Sequence, residues 1–455
     1  MQPPPSIRRA GAMPAGTPAV PVAIVGAGAC GLSAALFLRD ADVDCVLLER
    51  DAQAQGSTAL SSGFIPAAGT RVQRAAGVLD DSATIFAADI QAKAQGQAAP
   101  HLVDAYTQAA APALDALQRR HGLAFELLQG FLYPGHSRLR MHTLPQKTGA
   151  ALVTALEAAA QRAGALLLTS ACVVELWCTE QGRVLGVGYM RPDGQREHLA
   201  CRALLLACNG FGGNAPLVQA LLPEMRHATY AGHSGNDGSA IAWGQALGAR
   251  LADLGGYQGH GSWAVPQGAL ITWALMMEGG VQINRRGQRF HDETAGYSEA
   301  AVHVLAQPGG VAFDVFDQRL LALGRTFPDF IAAEAAGAVK HATDVPALAK
   351  LIGCDVEALQ ATLQATRLQA PYCAIRVTGA LFHTQGGLDI DAQGRVLRAD
   401  GEPLPNLLAA GGAARGVSGN AVWGYLSGNG LLSAVAGAYI AAATARRHLK
   451  ESTTP

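Results

Sequence analysis

Charge is scarce in this chain. Asp, Glu, Lys and Arg make up 15% of its 455 residues, against roughly 25% in an ordinary globular protein. The 34 basic and 35 acidic side chains leave a formal net charge of −1, with no basic run to break the balance. Nucleic acid and anionic membrane are therefore not expected as partners. The eight cysteines form neither a CxxC pair nor a CxxCH motif. That argues against a metal site or covalent haem and for the reduced thiols of a cytoplasmic protein. No apolar run approaches the ~20 residues of a membrane span. The first twenty residues are rich in proline, alanine and glycine. Arg8 and Arg9 are followed by no apolar stretch long enough for an export signal, so residues 1–20 are expected to form a disordered extension.

Glycine and apolar side chains are what the chain has in quantity, with 54 glycines and an apolar fraction of 49%. Residues 22–50, VAIVGAGACGLSAALFLRDADVDCVLLER, read as strand, glycine turn, helix and strand. In a dinucleotide fold Gly26 would supply the tight turn, Gly28 the room for pyrophosphate, and Gly31 the close packing of helix on strand. Glu49 ends the second strand, eighteen residues after Gly31, where an acid accepts hydrogen bonds from an adenosine ribose. The fold expected is α/β, a Rossmann-like nucleotide-binding domain with an inserted α+β cap.

A mostly helical, alanine-rich stretch covers about 82–165. ALLLTSACVVELWC (165–178), GRVLGVGYM (182–190) and ALLLAC (203–208) then read as strands. From about 245 to 375 the texture changes, with helical segments expected at 328–340 and 346–368. The end of the chain returns to strand, glycine turn and a long helix. The boundaries predicted are 21–244 and 376–455 for the nucleotide-binding domain and 245–375 for the cap. Their junction is where a ligand is expected.

Seven ordered motifs resemble the flavoprotein family of fumarate reductases, succinate dehydrogenases and 3-ketosteroid dehydrogenases: VGAGACGLSAAL with Glu49, GSTALSSGF (56–64), LLLACNGFGGN (204–214), HSGNDGSAIAWGQALGA (233–249), GGVQINRRGQRFHDE (279–293), FHTQGGLDID (382–391) and NLLAAGG (406–412). The resemblance implies FAD, a discontinuous FAD-binding domain and a substrate lying against the flavin. It implies cofactor contacts at Gly26, Gly28, Ala29, Cys30 and Gly31, at Glu49 and Arg50, and at Ser57, Thr58, Ser61, Ser62 and Gly63. Further contacts are implied at Val173, Asn209, Gly210, Asp237, Gly411, Gly412, Gly430, Leu431 and Leu432. Members that hold FAD covalently carry a histidine at the position matching Ser57, so non-covalent FAD is implied here. Asn209-Gly210 replaces the Thr-Gly usual in the family, and Gly412 takes the place of a glutamate.

Two departures bear on the chemistry. Fumarate reductases protonate substrate with an arginine at the position matching Tyr297, and clamp a carboxylate with an arginine at the position matching Tyr425. Loss of both argues against a dicarboxylate substrate, because guanidinium suits bidentate carboxylate binding and phenol does not. The pair resembles that of 3-ketosteroid dehydrogenases. There, the first tyrosine takes the proton α to a ketone. The second hydrogen-bonds the ketone oxygen with a backbone amide four residues on, here Asn429. Glu293 is the alternative base. His383 matches a carboxylate-binding histidine of fumarate reductases, and Arg140 and His142 resemble a second basic segment facing the active site. If those three act on substrate, the ketone carries a carboxylate, as 4-oxocyclohexanecarboxylate does. Tyr133 is an aromatic candidate without a motif to place it. The expected reaction is α,β-desaturation of such a ketone, with an unidentified electron acceptor. A 3-ketosteroid dehydrogenase and a reductase of an enone or unsaturated acid are the alternatives.

Overall fold

A computed structural model describes residues 4–451 of the chain. Its larger sheet is parallel through Leu166–Leu168, Cys45–Leu48, Ala19–Val25, the end of Arg196–Leu206, and Pro403–Ala409. The strands Cys45–Leu48 and Ala203–Leu206 are almost wholly buried. Such continuous apolar runs mark a parallel sheet covered on both faces. Helix Asn429–Glu451 packs against both Ala29–Arg39 and Pro100–His121 beside it, joining residues from both ends of the chain in one core. The predicted strand 165–178 is two strands, broken at Ser170 with φ +52°. Its first part joins the parallel sheet. Its second, Cys172–Cys178, begins an antiparallel meander with Val184–Met190 and the start of Arg196–Leu206.

A second sheet forms the cap, in the order Ala269–Leu270, Tyr257–Ala264, Tyr372–Thr384, Val311–Asp317, Val281–Ile283. Helices Tyr297–Leu305, Pro328–Ala335, Val345–Ile352 and Val356–Gln364 accompany it, with Gly353 ending the third where one longer helix was expected. The cap sheet does not stop at residue 375. Tyr372–Thr384 is one continuous strand, and Thr229–Tyr230 pairs with its far end.

The expected disordered extension is corrected in its described part. Ser6–Arg9 forms a strand, parallel to Glu175–Cys178 in register. The Arg8 guanidinium lies 4.7 Å above the Trp177 ring and Arg9 donates to the Thr179 carbonyl at 2.8 Å. Pairing with an edge strand some 168 residues away overrides a composition that reads locally as loop. Among the described residues no helix is long and apolar enough to cross a membrane.

Candidate active site

The parallel strands end at a deep cleft that runs from the first glycine turn, past the N-terminus of the last helix, to the cap. At the turn, Gly26 has φ +103°, and a Cβ there would sit 2.6 Å from the Ala207 carbonyl oxygen. Only glycine lets the chain pass. Gly31 faces the Gly26 carbonyl without room for a Cβ, so the helix packs directly on the turn. Glu49 is buried at the end of its strand, with its carboxylate accepting from the amides of Ala27 at 2.8 Å and Asp51 at 3.1 Å. Burial pushes its pKa up, and those two amides oppose the rise. The Thr58 hydroxyl accepts from the Ala29 amide at 3.1 Å, and Ser57 accepts from the His233 amide and the Asn236 side chain. These bonds hold the serine-rich turn between the first helix and the loop 233–236. Arg50 donates to the Gly235 carbonyl and the Asp237 carboxylate.

Of the proposed cofactor residues, Gly26, Gly28, Ala29, Cys30, Glu49, Arg50, Ser57, Thr58, Ser61, Ser62, Gly63, Val173, Asn209, Asp237, Gly411, Gly412, Gly430 and Leu431 line this cleft. Gly31, Gly210 and Leu432 lie behind its wall. Gly210 is pressed against Thr384, and Leu432 is buried in the core. A turn without side chains, an acid at the strand end and a helix N-terminus aimed into the same space fit a dinucleotide.

A profile of the FAD binding domain family matches residues 21–431. The chain belongs to this family. It is an FAD-dependent oxidoreductase. The probable fumarate reductase Ifc3 of Shewanella frigidimarina is 25% identical over 450 residues, 94% of this chain and 75% of that protein. The NADH:fumarate oxidoreductase of Klebsiella pneumoniae is 26% identical over 422 residues, 88% of this chain and 45% of that protein. The chain thus spans under half of that relative. Among solved structures, a flavocytochrome c3 fumarate reductase in its open conformation covers 96% of this chain and is itself covered over 79%, with TM-score 0.81 and 24% identity. The 3-ketosteroid-Δ4-(5α)-dehydrogenase of Rhodococcus jostii covers 96% and is covered over 99%, with TM-score 0.75 and 24% identity. At these identities the structural likeness is one of fold.

At the cap end of the cleft Tyr297 opens its helix, directly after Gly296 with φ +144°. Its ring is stacked on His260 at 4.8 Å and lies edge-on to Tyr425 at 6.1 Å. The Tyr297 hydroxyl is within hydrogen-bonding reach of Tyr425 and of Ser427. Burial holds the pKa of Tyr297 well above that of a free phenol. Burial raises Tyr425 too, opposed by the amides of Gly430 and Gly428 that point at its oxygen. His383 also lines the cleft, 5.8 Å from Tyr425 between ring centres. Burial lowers His383 to about 4 and His260 to about 3, so both imidazoles are neutral near pH 7.

Four proposed residues do not reach this space. The buried Arg140 guanidinium is paired with Asp81 at 2.8 Å and with Asp89, and it packs over the Phe86 ring. His142 bridges the Thr70 hydroxyl and the Arg140 carbonyl at 2.7 and 2.8 Å. Glu293 is paired with Arg289, accepts from the Gln282 amide at 2.8 Å and does not line the cleft. The Asn429 amide donates to the Leu426 carbonyl at 3.0 Å within the turn. The amide beside the Tyr425 oxygen is that of Gly430, one residue later.

Other residues complete the chamber. Gln258, His260, Thr272, Trp273 and Phe382 line it from the cap, Tyr133 from the loop before Arg140, and Asp329 from the helix Pro328–Ala335. Gln258 and His260 sit two apart on one strand, and a pair of polar side chains on one face of a buried strand was the signal available in sequence. Tyr133 packs against Phe131 at 4.9 Å and Phe64 at 6.3 Å. Glu49→Gln is expected to weaken FAD binding about tenfold by removing a charge-assisted acceptor. Flavin retained per protein after dialysis measures it; unchanged retention would remove Glu49 from the site.

Proposed function

We propose that this enzyme carries out α,β-desaturation of a small, uncharged cyclic ketone. The observation that carries the reading is the buried pair Tyr297–Tyr425, with ring centres 6.1 Å apart, at the cap end of the cleft, an end whose described lining residues include no arginine or lysine. Among the described cleft residues the one arginine, Arg50, belongs to the nucleotide end.

The chemistry follows from the donors present. A ketone oxygen seated beside Tyr425 would accept from its hydroxyl and from the Gly430 amide, which would turn to it from the Tyr425 oxygen. Two donors at that oxygen stabilise the enolate that forms as the α carbon loses its proton. The α proton passes to the Tyr297 phenolate, which Ser427 steadies by donating a hydrogen bond. The C–H pair left behind becomes the new double bond as a hydride departs from the β carbon. FAD, when bound, supplies the two-electron acceptor for that hydride. Neutral His260 and His383, with Trp273 and Phe382, wall the chamber against water and keep these interactions in a low dielectric.

The ring carboxylate loses its support with Arg140 and His142 turned away. Asp329 adds a reason against it. This carboxyl lines the chamber, hydrogen-bonded to the Ser62 hydroxyl at 3.0 Å, and burial raises its pKa. A second carboxylate nearby would be repelled. Cyclohexanone is therefore expected to bleach the flavin faster than 4-oxocyclohexanecarboxylate under anaerobic conditions. Asp329→Asn should narrow the difference about tenfold, within the range of a close charge pair. Equal rates with both ketones in the parent enzyme would reject the uncharged substrate. A panel that includes a 3-ketosteroid tests ring size in the same assay.

One observation favours a second reading. A phenol held neutral by burial carries a proton, and an enone reductase needs one at that position. Reoxidation of reduced flavin by 2-cyclohexenone, with no bleaching by any ketone, would establish that direction.

A further inference from the structure

We propose that Lys93 is a positioning residue, which holds the tyrosine pair in register across the junction between the cap and the FAD-binding domain. The proposal rests on the reading of Tyr297 as the acid/base.

Lys93 ends the helix Ala83–Lys93, whose Phe86 and Ile90 are buried in the core of the FAD-binding domain. Its ammonium crosses to the cap and donates to the Ala295 carbonyl at 2.7 Å while pairing with the Glu299 carboxylate. Ala295 and Glu299 bracket Gly296 and Tyr297, so one cation grips the chain on both sides of the tyrosine. The grip is inside the protein, with the Lys93 and Glu299 side chains only 10% and 14% exposed. Gly296 needs it. Its φ of +144° gives the turn no side chain of its own to fix it, and the space beside it is filled by Glu299 and the Lys93 ammonium.

The same helix end reaches the second tyrosine. Ala94 lies against Gly424, the residue before Tyr425, with its Cα 3.5 Å from where a Gly424 Cβ would be. The Lys93 stem packs on Gly135, next to His136, whose Nε2 meets the Ser427 carbonyl at 2.9 Å. The end of this helix therefore touches both tyrosine segments, gripping the Tyr297 turn through Lys93 and bordering the Tyr425 segment through Ala94, beside Ser418. The helix is in turn anchored by Asp89, which pairs with the buried Arg140. Arg140 thus serves the site through this helix, without touching substrate.

A carbonyl held by an ammonium has one place to be, and a turn released from it has several. A catalytic group displaced by about 1 Å can lose on the order of 100-fold in rate. The test is anaerobic flavin bleaching by cyclohexanone, as kcat and KM per bound flavin. Lys93→Met alone strands the buried Glu299 charge and risks misfolding, so the deciding variant is Lys93→Met with Glu299→Met, which leaves neither charge buried. It is expected to keep flavin content and KM within about twofold and to lose roughly 10- to 100-fold in kcat. Lys93→Arg, which retains a donor, should recover most of the rate. A double variant with parental kcat per flavin, or a loss confined to flavin content and thermal stability, overturns the proposal. Tyr297→Phe assayed beside it separates the failures. An active Tyr297→Phe removes the reading beneath the proposal, whereas an inactive one beside a fully active double variant removes the proposal alone.

Discussion

Replacing Tyr297 by phenylalanine should lower kcat for ketone-driven flavin bleaching by about 10³-fold, inside the 10²- to 10⁴-fold range of a positioned general acid or base. Flavin content and KM should stay near the parent's. The substitution deletes one hydroxyl and keeps the ring that stacks on His260 and packs edge-on to Tyr425, so the chamber keeps its shape. The direction of the pKa shift adds a test that structural damage cannot imitate. Burial raises the Tyr297 pKa, so near pH 7 the group is protonated. Desaturation requires the phenolate, and its population grows about tenfold per pH unit below the pKa. The parent's kcat/KM for desaturation should therefore climb with pH through the neutral and mildly alkaline range, and the Tyr297→Phe variant should lose that slope. Enone reduction requires the neutral phenol, so its rate should be flat over the same range and fall only at higher pH. A variant within twofold of the parent in both directions would end the catalytic role of Tyr297 and return the base to an unassigned group.

The features legible in sequence were those whose physics is local. The first turn needs glycine at Gly26 because the Ala207 carbonyl leaves no room for Cβ, and that requirement is written at a fixed distance from its strand and helix. Glu49 was readable for the same reason, as the last polar residue of a buried apolar strand. The tyrosine pair was readable only through the resemblance. Arg140 was misplaced because its partners, Asp81 and Asp89, lie 59 and 51 residues away, and no spacing rule couples them to it. A charged residue in a candidate active-site segment invites a ligand role until its counter-ion is known. Asn429 was misplaced by a single residue. The turn 426–429 spends its amide on the Leu426 carbonyl, and which amide of a helix N-terminus stays free depends on how that turn closes. Tyr133 and Asp329 enter the chamber from a loop and a short helix with no periodic pattern to mark them, and only tertiary packing brings them there.

Tyr425→Phe should cost about 10²- to 10³-fold in kcat, the range for removing one donor from a developing oxyanion. In the resting site the Gly428 and Gly430 amides point at the Tyr425 oxygen, and the Tyr297 ring lies edge-on beside it. Burial keeps Tyr425 protonated while those amides oppose the rise, so the group retains a hydrogen to donate to a ketone oxygen. The phenylalanine variant keeps the T-shaped contact with His383 and the turn around Ser427, but the ketone oxygen is left with backbone amides alone. The loss should therefore appear in the chemical step and grow as the ketone becomes less acidic. A ring ketone whose enolate is already stabilised by a second electron-withdrawing group should lose several-fold less than cyclohexanone. That dependence on substrate acidity distinguishes carbonyl polarisation from simple repacking, which would slow every ketone alike. The resting hydrogen bond couples the two tyrosines, so their effects should not add. With Tyr425 replaced, Tyr297 loses a neighbour that helps to raise its pKa, the pKa falls toward that of an ordinary buried phenol, and the pH at which desaturation gathers speed should move down. Equal losses for weakly and strongly acidic ketones, with an unmoved pH profile, would leave Tyr425 as a packing residue and place the ketone oxygen elsewhere in the chamber.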